Sequence, residues 1–195
     1  LKAKLLTDYI VSTDSKKISD ISKSYGANVP FLRTKYISRD KTTSVKSLQH
    51  AVNFMEIKKS TKYDFVIEIM CTNPLKLSKD IDNCIKKLIK TKADSVIAMH
   101  QLCDHHPIRI KKIVNDKIEN FCFKEKLESR RQDLEPLAYI RSGSIYALRR
   151  DHLMIDNMRY GSKNSRPYIL PSERAINIDT EIDVHIAEKL LSKKK

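Results

Sequence analysis

Apolar positions along the chain alternate between two rhythms. TDYIVST (7–13), NVPFL (28–32), YDFVIEIM (63–70) and ADSVIAMHQL (93–102) carry short apolar runs of the length and β-branched content expected of buried strands. Between them apolar residues recur every three or four positions, as on one face of a helix: Ile18, Ile21 and Tyr25; then Val45, Leu48, Val52 and Met55; then Ile81, Cys84, Ile85 and Leu88. The boundaries carry matching chemistry. Asp14 or Ser15 can cap the first helix, Gly26 stands where a left-handed C-terminal cap belongs, and SKDID opens the third helix on a Ser-x-x-Asp-like cap.

From about residue 103 the texture changes. PIRIKKIV, KIENFCF and YIRSGSIYALRR read as strands with no long helix between them, so an antiparallel extension is expected here. RRDHLMIDNM reads as a short helix; YILP and AINID return the chain to strands before a last helix at roughly 180–192. Strand and helix in alternation predict an α/β sandwich with a mostly parallel sheet and right-handed crossovers. In such sheets ligands sit outside the carboxyl ends of the strands. Ser12-Thr13-Asp14, Cys71-Thr72-Asn73-Pro74 and Asp179 are each expected at such an end.

A length of 195 residues with 41% apolar content suits one domain with a real core. No apolar run approaches the roughly 18 to 20 residues that span a bilayer, and no signal peptide is evident, so a soluble cytoplasmic protein without a membrane partner is expected. The four cysteines form no C-x-x-C pair; they read as reduced thiols, three or four of them in the core. A net charge of +14 admits a nucleic-acid partner, but the lysines are spread over every helix and end in the Lys193 to Lys195 run, the pattern of a solvated face. Only Arg130, Arg131, Arg141, Arg149 and Arg150 cluster, and arginine forks suit a phosphate or carboxylate of a small anion.

Several segments carry candidate chemistry alongside a plainer reading. Ser12, Thr13 and Asp14 suit a nucleotide or a helix cap, and Thr72-Asn73-Pro74 is by itself an ordinary turn. Adjacent His105 and His106 cannot both face one metal from a strand. Arg130-Arg131-Gln132-Asp133 offers guanidinium forks beside an amide, suited to a carboxylated, hydroxylated ligand or to water alone. In INIDTEID (176–183), Thr180 and Asp183 have near capping-box spacing, and acids in a first turn favour the helix dipole. Asp179 is less well explained by capping. A carboxylate there can hold Mg²⁺, which takes one or two protein carboxylates plus substrate phosphates.

VSTDSKKI followed by YGANVPFLR, the Asp40 to Val45 loop, YDFVIEIMCTNPLK with KDID, ADSV, DHHP, RRQDL, GSIYALRR and INIDTEID occur in an order and spacing that resembles the acylneuraminate cytidylyltransferase family, from about Tyr9 to Leu191. The resemblance implies a Rossmann-like nucleotidyltransferase sandwich over residues 1–195, with a protruding segment within 104–170 that serves dimerisation and sugar binding. It also implies a homodimer, the substrates CTP and a sialic-acid-like sugar acid, and Mg²⁺. Arg33 and Ser44, with Ser12 and Asp14, would contact the nucleotide. Arg109, Arg131, Gln132 and Tyr146 would face the sugar acid. Asp179 would bind the metal and act with Arg131 in catalysis.

The sequence also departs from the family. Asn177 stands in place of the first aspartate of an Asp-x-Asp pair, Met70 in place of a glutamine that reads the nucleotide, and Ser142 in place of an asparagine. The family's opening strand, glycine- and lysine-bearing phosphate loop and helix all precede the point where this sequence starts. A fragment of a complete enzyme is the expectation, and a pseudoenzyme that binds a nucleotide or a sugar acid without turnover is the rival.

Overall fold

The computed structural model describes residues 3–39, 42–102, 105–125 and 130–192. Five α-helices are present among these residues: α1 (Lys16–Ser24), α2 (Ser44–Lys59), α3 (Ser78–Thr91), α4 (Arg150–Met154) and α5 (Glu181–Ser192). Strands β1 (Phe65–Ile69), β2 (Ser95–Gln101), β5 (Tyr139–Arg149) and β6 (Ser165–Ile169) form one sheet in the order β1-β5-β2-β6, and β3 (Lys111–Val114) pairs with β4 (Lys117–Asn120) in a separate hairpin. The α/β class is as expected, but the sheet is mixed: β5 runs antiparallel to β1, with Glu68 opposite Tyr146 and Ile69 opposite Ile145. The expectation of a mostly parallel sheet is corrected on that point, because β5 is reached from the extension after residue 103 without an intervening crossover helix.

The chain resolves into two compact units. The first comprises Leu1–Ile69, Leu77–Ile97 and Ile145–Arg166. Its core is Val52 and Met55 of α2, Ile81, Cys84, Ile85 and Leu88 of α3, Val96 and Ile97 of β2, Ile145 to Leu148 of β5, and Leu153 of α4. The 3.6-residue period of α3 puts Ile81, Cys84, Ile85 and Leu88 on one face, and all four are buried, while Ile89 falls off that face and is exposed. Asp80 secures its start by accepting the Leu77 N–H at 2.7 Å; Leu77, at the N-cap, has no side-chain acceptor, so Ser78 begins the helix rather than capping it. Glu56 and Arg150 join α2 to α4 through two nitrogens at 2.8 Å each.

α1 is capped as its sequence suggests. Ser15 Oγ accepts the Ile18 N–H at 3.3 Å, and Gly26, at φ +79°, ends the helix in a Schellman motif. In that motif Gly26 N donates to Lys23 O at 2.8 Å and Ala27 N to Ser22 O at 3.0 Å. Its apolar face is nevertheless exposed at Ile18, Ile21 and Tyr25. The runs at 7–13 and 28–32 are not strands here; they are joined by a parallel bridge from Thr13 to Leu32 and by Val11 N donating to Asn28 O at 2.8 Å. A strand exists through pairing, and too little pairing forms for the apolar content to be expressed as a ladder.

The second unit comprises Met70–Lys76, Ala98–Ser144 and Pro167–Lys195, with Leu75, Ala98, Leu134, Leu170, Ala175 and Ala187 buried. AINID forms no strand; the chain there passes from a 3-10 turn at Ser172–Arg174 into the α5 cap. The β3–β4 hairpin carries the cross-strand pair Ile113 and Ile118, exposed at 78% and 77%. Of the three cysteines among the described residues only Cys84 is buried, while Cys71 and Cys122 are exposed, which corrects the expectation of a mostly buried set. Cys103, Asp40 and Lys41 of the expected nucleotide loop, Asp104 of the DHHP run and the Lys193 to Lys195 tail lie outside the described residues.

Candidate functional site

Two of the strand-end segments singled out in the sequence meet within the second unit. Asn73, fully buried, donates Nδ2 to Ile176 O at 2.8 Å, and Ile178 N donates to Thr72 O at 2.8 Å. The loop after β1 thereby grips the segment that precedes α5 from two sides. Lys76 closes this loop on itself, its ammonium donating to the carbonyls of Met70 and Asn73. Burial lowers the Lys76 pKa from 10.5 to about 8.

The gripped segment carries Asn177 and Asp179. Asn177 Nδ2 donates to Asp179 Oδ2 at 2.7 Å, while Asn177 Oδ1 is buried without a hydrogen-bond partner. Gly143 on β5, whose φ of +66° favours glycine, lies beside this amide, and a Cβ there would stand in ordinary contact 3.5 Å from Asn177 Oδ1. Asp183 accounts for the remaining acidity: its Oδ2 accepts Thr180 N at 2.8 Å, Thr180 Oγ1 at 2.8 Å and Asp179 N at 3.1 Å. The Thr180 hydroxyl and those backbone amides hold the Asp183 carboxyl below its ordinary pKa. The capping reading of Thr180 and Asp183 is therefore realised, and Asp179 is left exposed beside Asn177, its carboxylate paired with no cation among the described residues.

These donors suit a hard cation. One carboxylate and one amide oxygen without a partner match the sparse protein ligation of Mg²⁺, which keeps waters and takes substrate phosphates. The amide presents its NH₂ to Asp179, so both residues bind one ion only after the amide turns over. No cluster of three or more His, Cys, Asp or Glu residues suited to a metal occurs among the described residues.

The expected sugar-facing residues of the second unit lie along its extension. Arg109 Nε is 3.7 Å from Glu125 Oε1, and Lys111 shares that carboxylate at 2.8 Å. Arg131 and Gln132 sit exposed in a 3-10 turn, Arg131–Asp133, that Arg130 braces by pairing with Asp133 at 2.7 Å. His106 is a buried structural residue, its Nε2 2.9 Å from Pro136 O and its Nδ1 accepting the Ile108 N–H.

In the first unit Asp14 and Arg33 are brought together, Arg33 Nη2 donating to Asp14 Oδ1 at 3.1 Å, while Arg33 N donates to Thr13 O at 2.8 Å. The hydrogen bond from Arg33 lowers the Asp14 pKa. Ser12 Oγ and Arg33 Nε are buried without partners, which leaves donor capacity for a polar ligand. Ser44 is the first residue of α2, preceded by Thr43 at the N-cap. Tyr146 is only 5% exposed and lies beneath Arg159, whose guanidinium carbon stands 3.8 Å from its ring centre. Arg159 and its partner Glu68 were missed in the sequence, although a lone glutamate inside the apolar FVIEI run signals a buried charge in need of a partner.

The sequence matches the profile of a family described as cytidylyltransferase over residues 1–168. It is 30% identical to a CMP-N,N'-diacetyllegionaminic acid synthase of Legionella pneumophila over 98% of this chain and 81% of that protein. It is 28% identical to a pseudaminic acid cytidylyltransferase of Campylobacter jejuni over 97% of this chain and 80% of that protein. A solved structure of CMP:2-keto-3-deoxy-manno-octonic acid synthetase complexed with CTP superposes with a TM-score of 0.66 at 14% identity, covering 100% of this chain and 84% of that one.

Proposed function

This chain belongs to the cytidylyltransferase family, and from that premise we propose that it transfers CMP from CTP to a sialic-acid-like nine-carbon sugar acid with release of pyrophosphate. The anomeric hydroxyl attacks the α-phosphate, the bond to the β-phosphate oxygen breaks, and the hydroxyl proton is lost to solvent or a nearby base. Reactions of this type depend on positioning and on electrostatic support for the charge that shifts onto the leaving group. The observation that carries the reading is the double hold of the loop after β1 on the Asn177 to Asp179 segment, which fixes a carboxylate and an amide oxygen without a partner at a strand end.

Asp179 and Asn177 would hold Mg²⁺, which when bound neutralises charge on the phosphates. Asp14, Arg33, Ser12 and Ser44 would face the nucleotide; Arg109, Arg131, Gln132 and Tyr146 would face the sugar acid. We read residues 1–195 as one cytidylyltransferase-like domain of a cytoplasmic homodimer, with the exposed Ile113 and Ile118 pair of the hairpin as part of the surface between two copies. Sedimentation of the purified chain as a monomer at all concentrations would refute the dimer.

Pyrophosphate release that requires CTP, Mg²⁺ and one of the legionaminic, pseudaminic or N-acetylneuraminic acids tests the activity. Absence of release with all three would refute it. Asn177 supports a second reading, because its NH₂ group occupies the Asp179 oxygen that a cation would need. On that reading the protein binds a nucleotide or sugar acid without turnover, and calorimetry showing binding while no pyrophosphate appears would favour it.

A further inference from the structure

Glu68 is the charged residue of β1, and register sets Tyr146 of β5 directly opposite it, so the two side chains share one face of the sheet. Arg159, from the segment after α4, lies over that pair. Its guanidinium carbon is 3.8 Å from the Tyr146 ring centre and 5.8 Å from that of Tyr160. Its Nε is 2.7 Å from Glu68 Oε2, at an angle that makes no aligned hydrogen bond. The side chains of Arg159 and Glu68 are only 16% and 14% exposed.

As a device for stability this arrangement is poor. Burial raises the Glu68 pKa even though the neighbouring arginine pulls it down, so desolvation outweighs the attraction. Apolar side chains of similar volume would hold a sheet face at least as well. What the arrangement does achieve is orientation. The Tyr146 ring supports the guanidinium on one face, and the ion pair at Nε draws that end of it toward Glu68. Nη1 and Nη2 are then aimed by the fold, and neither forms a hydrogen bond among the described residues. A rigid fork of two donors matches the two oxygens of a carboxylate or phosphate.

We propose that Arg159 is an oxyanion receptor whose Nη1 and Nη2 edge binds either the carboxylate of the sugar acid or a phosphate of the nucleotide, with Tyr146 and Glu68 as its positioning residues. The identity of the anion rests on the function proposed above; the receptor itself rests on the stacked and tethered guanidinium. Glu68 has a second effect. It offsets the charge of Arg159, so the receptor is tuned below its full strength.

The test is calorimetric binding of two probes to the full chain, CTP and N-acetylneuraminic acid, with pyrophosphate release measured in parallel. Arg159→Gln is expected to weaken binding of one probe about tenfold or more and leave the other within about twofold, which identifies the anion. Arg159→Lys keeps the charge but loses the fork, and is expected to weaken the same probe; it decides the matter if Arg159→Gln does not fold. Glu68→Gln is expected to tighten that probe by about threefold or more, an effect that a purely structural ion pair would not produce. Unchanged affinities in a folded Arg159 variant, no tightening in Glu68→Gln, or a wild-type chain that binds neither probe would each overturn the inference. Pyrophosphate release that persists with unchanged affinities would remove the receptor and leave the enzyme. Loss of anion binding in a chain that never releases pyrophosphate would do the reverse.

Discussion

Asn73→Ala probes the hold on the Asp179 segment at its buried end. The side chain is fully buried, and its Nδ2 satisfies Ile176 O at 2.8 Å. Alanine leaves that carbonyl without a partner where water has no access, at about 1–3 kcal/mol. The small void left by the amide adds about 1 kcal/mol. For a chain of 195 residues each kcal/mol lowers Tm by about 2–4 °C, so a fall of about 4–16 °C is expected. The backbone bond from Ile178 to Thr72 survives, so the segment is loosened rather than released. The Mg²⁺ concentration needed for half-maximal pyrophosphate release should therefore rise as Tm falls. Asn73→Asp refines the test, because it keeps the shape and loses the donor. Buried against a carbonyl, the introduced carboxyl has its folded pKa raised above the unfolded value. The penalty is then complete above the folded pKa and disappears as pH falls below the unfolded one, where the protonated group donates again. Its Tm deficit against wild type should shrink as pH falls from about 8 to about 5. An Asn73→Ala protein melting within about 2 °C of wild type, or an Asn73→Asp deficit indifferent to pH, would refute the reasoning.

Asp179→Asn should cut pyrophosphate release by about a hundredfold or more with little change in Tm, since the residue is exposed; a rate near wild type would remove Asp179 from the site. Asp183→Ala should melt below wild type at pH 7, and the two should converge as pH falls. The depressed Asp183 pKa gives stability that is present above the unfolded carboxylate value and lost as pH falls through the folded one. A constant difference in denaturation curves across pH 2 to 7 would contradict that cap. Lys76 gives a slope of the same sign at higher pH, here because burial penalises its charged form: its folded pKa of about 8 lies below the ordinary 10.5, so the unfolded chain binds more protons between those values and stability should rise with pH there. Lys76→Met should flatten that rise in urea titrations, and an identical profile in both proteins would show that the ammonium is not desolvated.

What could be read in the sequence was what is local. The period of Ile81, Cys84, Ile85 and Leu88 dictates a buried helix face wherever the helix docks, and Thr180 with Asp183 caps α5 through bonds spanning three residues. The runs at 7–13 and 28–32 look equally strand-like, but a strand is completed by a partner that its own sequence does not name. The same limit hid Arg159. It lies on Tyr146 and against Glu68 through a tertiary contact, and in sequence it reads as one more surface arginine. Asn73 was visible only as a turn residue, because its work is done on a carbonyl far along the chain.

Among the described residues β1 has a ladder partner on one side only, namely β5, so the other edge of Phe65–Ile69 is where a further extended segment would add to the sheet. An edge of five residues with one charge and no proline is poorly guarded against pairing. For engineering, it marks where a designed strand, supplied in trans and carrying a fluorophore or an affinity handle, could be zipped on without altering any buried side chain.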